Sequence, residues 1–503
     1  MTKSHIIVLC MISTIISLPI VTNKVNLAIT LNNSTMSKEP EEERVFWTYN
    51  YIKKEYWEVN SRLLAIGDWC YIYMEEECIP KLGENSIMAK VEEICYEFDN
   101  VIYPRIIDLA GHPNGTMGDI DGDPRIYILF LDNYNYYSEV NDIEHNVSNL
   151  CEMIYICYRL YHHDWLYATM AHEFHHLIWF NNDWGEPPFT LEALAQYATY
   201  HAGYLGPYNN LVPQVAFYLP HPENSPLYWT DDQDYGSAYL FAFYIAEKYG
   251  VDILRDLITE PDDGPHGIET VLHAAGYDIT FNELFMNWIT TLTLDELGFQ
   301  NNLFGFEGFD ARITNYEVVD KLPLANKTIS VNHYAFYIHK LEAPPNNFTV
   351  IINKVPQDVI GISLAVHDSH GWYVNQNVHY LETSTITESF SGSLIDEAYL
   401  ITSYISENTP IAPEERGSGP STSIDITIIE GVQKNIDSLP SCQSTETKTG
   451  VSNNTTSKMS TTTSNHTSPF SDISHIFFFL SILLITFKKK GILSDDDSKF
   501  LLK

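Results

Sequence analysis

Apolar residues recur at intervals of three and four positions in the first third of the chain. This spacing places them on one face of a helix, so it predicts helices across the region from Val45 to Leu109. They form two series, namely Phe46, Tyr49, Tyr56, Trp57, Leu63 and Leu64, and then Ile87, Val91, Ile94, Phe98 and Ile102.

Two short apolar runs follow, and each predicts a buried strand. Arg125–Leu131 comes directly after the turn signal Gly118–Pro124, and Glu152–Cys157 is a second run of the same length class. Helical spacing resumes at Asp164 and continues, with interruptions, to about Leu297.

Beyond Ala311 the pattern changes to short runs of β-branched and aromatic residues separated by Pro, Gly and Asn. The runs are Val331–His339, Phe348–Asn353, Ile360–His367, Ala398–Ile405 and a last strand, Ile424–Ile429. Such spacing predicts an antiparallel β-sandwich over residues 313–435. The predicted fold class is therefore α+β, with a mainly helical domain and small sheet at residues 45–312 followed by the sandwich.

The two ends of the chain carry patterns of targeting segments. Residues 1–23 combine one positive charge with an apolar run and predict a signal peptide, the alternative being a buried first helix. Residues 24–44 are polar and predicted to be unstructured, and residues 436–469 form a Ser/Thr-rich stalk with sequons at Asn453, Asn454 and Asn465.

Residues 470–487 are mostly apolar and are followed by Lys488, Lys489 and Lys490. We interpret them as a transmembrane anchor with a cytoplasmic tail at 488–503, which places the rest of the protein at the extracellular face of the membrane. A removable sorting tail or an interfacial helix are the alternatives.

The net charge of the chain bears on its binding partners, and its cysteine content bears on its redox environment. The chain has 28 Lys and Arg against 66 Asp and Glu, a formal net charge of -38, and such a surface disfavours nucleic acid as a partner. Cys10 would be lost with the signal peptide. The six remaining cysteines are an even number and are compatible with one or two disulfides outside the cell.

The chemically most informative segment is His172-Glu173-Phe174-His175-His176, a His-Glu-X-X-His motif. With 19 His and 66 Asp plus Glu in 503 residues, fewer than roughly 0.09 copies are expected by chance. The surrounding segment, Asp164–Phe180, contains no Gly or Pro and predicts a helix with Asp164 as N-cap. His172 and His176 then share one face, where both imidazoles can bind one zinc ion and Glu173 can act as the base.

A catalytic zinc site usually has three protein ligands. Glu192, near the start of a second predicted helix at Phe189–Tyr200, is the candidate third ligand. The metzincin pattern requires Gly and then His or Asp at positions that hold Trp179 and Asn182 here, so it does not apply. We interpret His175 as a structural residue or one that supports the ligands, because it points elsewhere on the helix.

These segments resemble the hyicolysin-type zinc metallopeptidases, which belong to the thermolysin-like group. The resemblance covers about residues 45–300 and rests on Met170–Phe180, Leu191–Ala195, Asp234–Gly250 and the strand Asp121–Leu129. It implies that His172, His176 and Glu192 are the zinc ligands and Glu173 is the base. Where the family commonly has Asn before the third ligand, this chain has Leu191.

Two further sites are weaker predictions. Tyr235, with Tyr239 behind it, is a candidate donor to the oxyanion of the reaction. The turn containing Asp119, Asp121 and Asp123 could bind calcium. However, the EF-hand pattern fails at its sixth and twelfth positions, so a purely structural acidic turn is the favoured interpretation.

The sequence as a whole predicts a zinc-dependent endopeptidase that acts on protein or peptide substrates at the cell surface. A catalytically inactive, peptidase-like binding or adhesion protein is the main alternative. A zinc enzyme acting on a bond other than the peptide bond is the third hypothesis.

Overall fold

The structure is a computed structural model that describes residues 40–50, 53–113, 119–133, 136–137, 147–183, 185–205, 213–230, 233–380, 384–411 and 419–432. The predicted signal peptide, stalk, anchor and tail lie outside these residues, as does most of the predicted polar segment. None of the helices in the described ranges is both long and apolar enough to cross a membrane.

The described part of the chain begins with a six-stranded mixed sheet. Its strands are β1 (Glu43–Asn50), β2 (Glu55–Ile66), β3 (Cys70–Glu75), β4 (Ile126–Leu131), β5 (Tyr136–Tyr137) and β6 (Met153–Cys157), in the order β1-β2-β3-β4-β6-β5. Strands β3, β4 and β6 are parallel, and the other pairs are antiparallel. The predicted strands at 125–131 and 152–157 are confirmed as β4 and β6. All six residues of β4 are buried, as its continuous apolar run requires.

The predicted helices between Val45 and Ile66 are wrong, because this region forms β1 and β2. Phe46 pairs with Val59 and both are buried, whereas Tyr49 pairs with Tyr56 with ring centroids 4.8 Å apart. These aromatic and β-branched residues favour a pleated sheet, where neighbouring strands supply their contacts. The spacing of these residues by three and four positions therefore does not reflect a helix.

The middle of the chain is mainly helical, as the sequence predicts for residues 87–109 and from Asp164 onward. They are α1 (Ile79–Leu82), α2 (Glu84–Glu97), a π-helical turn (Phe98–Ile102), α3 (Tyr103–Ala110), α4 (Leu166–Asn182), α5 (Pro188–His201), α6 (Pro213–Tyr218), α7 (Asp234–Tyr249), α8 (Val251–Leu257), α9 (Pro265–Ala274) and α10 (Phe281–Leu294), with short 3-10 turns at Tyr158–Leu160 and Gln300–Asn302. Helices α4 and α5 are buried along almost their whole length, so side chains on every face of them lie inside the protein.

The C-terminal region contains two sheets. Its strands are β7 (Glu317–Val319), β8 (Leu324–Asn332), β9 (Phe336–Glu342), β10 (Asn347–Asn353), β11 (Val359–Asp368), β12 (Gly371–His379), β13 (Thr385–Ser391), β14 (Glu397–Ile405) and β15 (Ser421–Glu430). One sheet has the order β13-β10-β15-β8 and the other β12-β11-β14-β9-β7. All pairs are antiparallel except β7 with β9, and together with the helical region this confirms the α+β class.

One predicted strand in this region is wrong. Residues 331–339 form the end of β8 and the start of β9, separated by a turn at 333–335. Tyr334 in this turn has a φ of 53°, a left-handed conformation that interrupts the extended backbone between β8 and β9.

The five-stranded sheet packs directly on α10. Gln376 of β12 donates from its amide nitrogen to the Met286 carbonyl oxygen at 3.0 Å and to Thr290 Oγ1 at 2.8 Å. Thr290 Oγ1 also lies 2.9 Å from Ser363 Oγ of β11. The hydrophobic core of the helical region continues through Tyr334, in the turn before β9, into this sheet through Phe336, Ile338, Val359, Ile401 and Ile405. The predicted boundary at residue 312 falls in the irregular segment between α10 and β7.

Five cysteines lie in the described ranges, and no disulfide joins any two of them: Cys70, Cys78, Cys95, Cys151 and Cys157. The disulfides expected from the sequence are therefore not formed among them, although the sulfur atoms of Cys70 and Cys95 are 3.8 Å apart. Cys442 lies outside the described residues.

Candidate metal centre

Helix α4 carries the His-Glu-X-X-His motif into the core. The helix begins at Leu166, and its N-cap is Trp165 rather than the predicted Asp164. The Trp165 carbonyl oxygen accepts hydrogen bonds from the backbone nitrogen and the hydroxyl of Thr169, both at 2.9 Å, so the first helical turn starts there. Met170, Phe174 and Leu177 anchor the helix among buried apolar side chains.

Three predicted ligands meet between α4 and α5. The Nε2 atoms of His172 and His176 are 2.9 Å apart. Glu192 Oε2, from the first turns of α5, lies 3.2 Å from His172 Nε2 and 3.5 Å from His176 Nε2. The two imidazole planes are nearly perpendicular, at 85°, which lets both nitrogens face the carboxylate. The side chains of all three residues are almost completely buried.

The three donor atoms fit a tetrahedral zinc ion. Ligand atoms about 2.05 Å from a tetrahedral ion are about 3.3 Å from one another. The separations of 2.9, 3.2 and 3.5 Å bracket this value, so only shifts of a few tenths of an ångström separate the arrangement from a coordination shell. Two imidazoles and one carboxylate are also the ligand set of known catalytic zinc sites that keep one position open. This buried His172, His176 and Glu192 group could therefore hold a metal ion.

Electrostatics at the site favour a cation. Burial disfavours the charged form of His172, but the Glu192 carboxylate, and after it Glu173, outweighs this effect and raises the pKa of His172 above its ordinary value. The carboxylates thus stabilise positive charge where the imidazoles converge. A bound divalent cation would replace the proton in this role.

Glu173, the predicted base, follows His172 directly on α4 and is buried, with 5% of its surface exposed. Its negative charge acts on the His172 ring. Together with His172, which is 3% exposed, it retains more solvent contact than His176 and Glu192, each 1% exposed.

His175 does not belong to the metal group. Its ring packs edge-on against Trp179 with centroids 5.8 Å apart, and neither of its ring nitrogens has a hydrogen-bond partner among the described residues. Burial lowers its pKa well below the ordinary value, and the nearby His176 and His172 lower it further. His175 is therefore a neutral core residue behind the ligands, in line with the structural role expected for it.

Tyr235, the predicted oxyanion donor, lies at the start of α7 and is 1% exposed. Its ring packs edge-on against Trp229, with centroids 4.8 Å apart. Helix α7 packs beside α5, where the Phe241 and Phe189 rings are 5.2 Å apart. Tyr235 is thus carried by a neighbour of the Glu192 helix, and its catalytic role remains a prediction. Tyr239, one turn later, is also buried.

The acidic side chains of the turn considered as a calcium site, Asp119, Asp121 and Asp123, make different contacts. Asp123 accepts a hydrogen bond from the Tyr71 hydroxyl at 2.6 Å and pairs with Arg125 at 3.0 Å. Asp119 and Asp121 instead lie close to Glu152, which the sequence did not suggest. Glu152 is 2% exposed, and burial raises its pKa to about 7.

Sequence reasoning missed Gln196, one helical turn after Glu192. It is 2% exposed, and its amide nitrogen has no hydrogen-bond partner among the described residues. Gln196 follows Glu192 by four positions on a predicted helix, so the sequence could have placed both side chains on the same face. It also missed a group of three carboxylates next to the helices of the candidate ligands, where Asp263 comes from a distant part of the chain to lie near Asp183 and Glu186.

Comparisons with known proteins find only weak structural similarities. No family profile and no curated protein matches the sequence. The chain is similar to Legionella pneumophila aminopeptidase A in complex with aspartic acid, at 10% identity and a TM-score of 0.28, covering 71% of this chain and 36% of that one. It is also similar to CorA, a surface-associated copper-binding protein of Methylomicrobium album BG8, at 7% identity and a TM-score of 0.18, covering 23% of this chain and 98% of that one.

The third similarity is to the pre-peptidase C-terminal domain of collagenase from Bacillus anthracis. It has 12% identity and a TM-score of 0.15, and it covers 23% of this chain and 94% of that domain. These TM-scores are too low to assign the chain to a fold family. The functional argument therefore rests on the residues of the chain itself, and foremost on the buried His172, His176 and Glu192 group.

Proposed function

We propose that the protein is a zinc-dependent endopeptidase that hydrolyses peptide bonds of protein or peptide substrates. The observation that carries this proposal is the convergence of two imidazole nitrogens and one carboxylate oxygen within 3.5 Å of one another, beside a buried Glu on the same helix. The resemblance of these segments to the hyicolysin-type peptidases supports it.

Residues of the chain would hold the metal ion, transfer the proton and stabilise the intermediate of this reaction. His172, His176 and Glu192 would hold the ion, and zinc, when bound, supplies a Lewis acid that activates water and polarises a carbonyl group. Glu173 accepts the proton of the attacking water and passes it to the leaving amine. The Tyr235 hydroxyl is the proposed donor to the negative oxygen of the tetrahedral intermediate.

We further propose that this activity faces the outside of the cell membrane. The support comes from the sequence alone, namely the apolar N-terminal run, the Ser/Thr-rich segment and the apolar segment closed by three lysines. Labelling of intact cells with a membrane-impermeant amine reagent tests this. If the protein is labelled only after lysis, the orientation is wrong.

Metal analysis combined with proteolysis tests the enzyme proposal. The full-length protein and its Glu173→Gln variant are compared for zinc content and for cleavage of a denatured protein substrate. We expect one zinc per chain in both and cleavage only by the wild type. His175→Gln is the matched control, since this neighbouring buried histidine is not a ligand and should leave the zinc content unchanged.

The other outcomes separate the alternatives. If both proteins bind zinc and neither cleaves, the chain is a peptidase-like binding protein. If neither binds zinc, the metal centre is refuted. Cleavage of ester but not amide substrates would assign the site to a bond other than the peptide bond.

A further inference from the structure

Two Asn-X-Thr sequons lie wholly within the described ranges, one at Asn326 and one at Asn347. Asn326 belongs to β8 and Asn347 begins β10, so both lie in the four-stranded sheet, and both residues are exposed. A sequon is the acceptor of an N-linked glycan in a chain that leaves the cytoplasm. The motif is short, so the surroundings of the two side chains have to decide whether they can carry a glycan.

The contacts of the two side chains leave their amide nitrogens free. Asn326 Oδ1 accepts a hydrogen bond from Thr427 Oγ1 at 3.3 Å, and Asn347 Oδ1 accepts one from Ser391 Oγ at 2.5 Å. In each case a hydroxyl group of the neighbouring strand holds the amide oxygen, whereas the Nδ2 atom donates no hydrogen bond to a described residue. A sugar added to either nitrogen would therefore break no contact within this part of the chain.

Both side chains lie on the outer face of the sandwich. Alternate residues of β8, β10, β13 and β15 are mostly apolar and enter the core between the two sheets. The other positions of these strands hold Ser, Thr and Asn, apart from Ile351, Ile429 and Asp425. Because the five-stranded sheet packs on α10, the outer face of the four-stranded sheet points away from the helical region.

This outer face carries very little charge. Asp425 is the one charged side chain at the outward positions of these four strands, in a chain with a formal net charge of -38. Charged side chains usually keep a sheet surface soluble, and a bulky glycan can take over this task. Asn326 lies beside Thr427 and Asn347 beside Gly431, two strands apart, which separates them by roughly 16 Å. Two glycans at this separation can cover the face together.

We propose that Asn326 and Asn347 carry N-linked glycans that cover the outer face of the four-stranded sheet. Each amide nitrogen loses a proton and bonds to the anomeric carbon of a sugar, while the bond from that carbon to the phosphate of a lipid-linked donor breaks. The Thr349 hydroxyl of the second sequon donates to the Gly431 carbonyl oxygen at 2.7 Å, so transfer to Asn347 precedes the pairing of β10. The proposal rests on the extracellular orientation proposed above, since such transfer occurs outside the cytoplasm.

Glycopeptide mass spectrometry of the full-length protein, purified from the cells that naturally produce it, tests the two sites. The peptides containing Asn326 and Asn347 should each carry a sugar, recognised by its fragment ions. Asn326→Gln and Asn347→Gln should each remove one glycan. Asn353→Gln is the matched control and should change nothing. Asn353 lies on the same face, and its Oδ1 accepts a hydrogen bond from the Thr385 hydroxyl at 2.9 Å, but no Ser or Thr stands two positions after it.

Two variants of Thr328 separate loss of the sequon from loss of folding. Asn326 has a φ of 48°, a left-handed conformation that Asn adopts more readily than Gln. Thr328→Val leaves Asn326 in place and should also lose the glycan, whereas Thr328→Ser should keep it. The proposal is overturned if the wild-type peptides carry no sugar, if Thr328→Val keeps its glycan, or if Asn353 is modified.

Labelling of the same intact cells with the impermeant amine reagent distinguishes the two possible failures. A protein that is labelled on intact cells but carries no sugar at Asn326 and Asn347 refutes the glycan proposal alone. A protein that is neither labelled nor modified refutes the extracellular orientation as well. Zinc content and cleavage, measured on the same samples, report the proposed enzyme function separately.

Discussion

His339 in β9 should make the C-terminal sheet region sensitive to acid. The residue is 0% exposed, and neither of its ring nitrogens has a hydrogen-bond partner among the described residues. Its ring packs beside Tyr337 with centroids 5.0 Å apart. Burial lowers the pKa of His339 from 6.5 to about 4, so the folded protein keeps it neutral at pH values where the unfolded chain would be protonated.

The sign and size of the effect follow from these two pKa values. Because the folded pKa is the lower one, the unfolded state binds the proton first, and stability is lost as the pH falls from above 6.5 towards 4. At 1.36 kcal/mol per pH unit, the full difference is about 3 kcal/mol. Between pH 7 and pH 5 the expected loss is about 2 kcal/mol.

Urea unfolding followed by fluorescence measures this loss in the full-length protein. His339→Leu removes the titrating group while keeping a buried side chain of similar size, and it should lose about 2 kcal/mol less than the wild type between pH 7 and pH 5. His370→Asn is the control, since the His370 side chain is 80% exposed. If the candidate site holds a metal ion, its loss at low pH affects all three proteins alike. Equal pH dependence of wild type and His339→Leu would refute the reasoning.

Three further predictions concern other parts of the fold. Tyr235→Phe should lower kcat/KM about 100-fold or more without changing the zinc content, if its hydroxyl stabilises the oxyanion; steady-state kinetics showing wild-type efficiency would remove this role. Gly236→Ala should cost about 1–3 kcal/mol in thermal unfolding, because its Cβ would lie 2.3 Å from the backbone oxygen of Gln214; an unchanged Tm would contradict that close approach. Cys70 and Cys95, with sulfur atoms 3.8 Å apart, should form a disulfide on oxidation. Peptide mass spectrometry without reduction detects it, and two free thiols after oxidation would disprove it.

The predictions that succeeded depend on short stretches of sequence. Helix α4 follows from an uninterrupted apolar pattern, and β4 and β6 follow from brief apolar runs next to turn signals. The convergence of the His172 and His176 imidazoles on one side of α4 follows from their spacing of four on a helix. Glu192 could be proposed from the sequence because it lies in the first turns of the next helix, sixteen positions after His176.

The failures depend on contacts that no local window contains. The strands β1 and β2 are stabilised by each other and by β3, so the spacing of their aromatic residues could not decide between helix and sheet. Asp263 reaches Asp183 and Glu186 only because α9 begins beside the segment between α4 and α5. Likewise, Glu152 joins the acidic turn because β4 and β6 are neighbours in the sheet.

The five-stranded sheet is linked to the candidate metal centre through packing. Helix α10 lies between the helical core and the five-stranded sheet, with hydrogen bonds from Gln376 to Met286 and Thr290. On its other side, Trp288 packs edge-on against Phe241 of α7, with centroids 5.3 Å apart, and α7 in turn packs beside α5, the helix of Glu192. Closely packed elements transmit shifts to one another. This series of contacts therefore links the position of Glu192 to the five-stranded sheet. Because the five-stranded sheet shares a core with the helices, we interpret it as part of the structure that positions the candidate ligands.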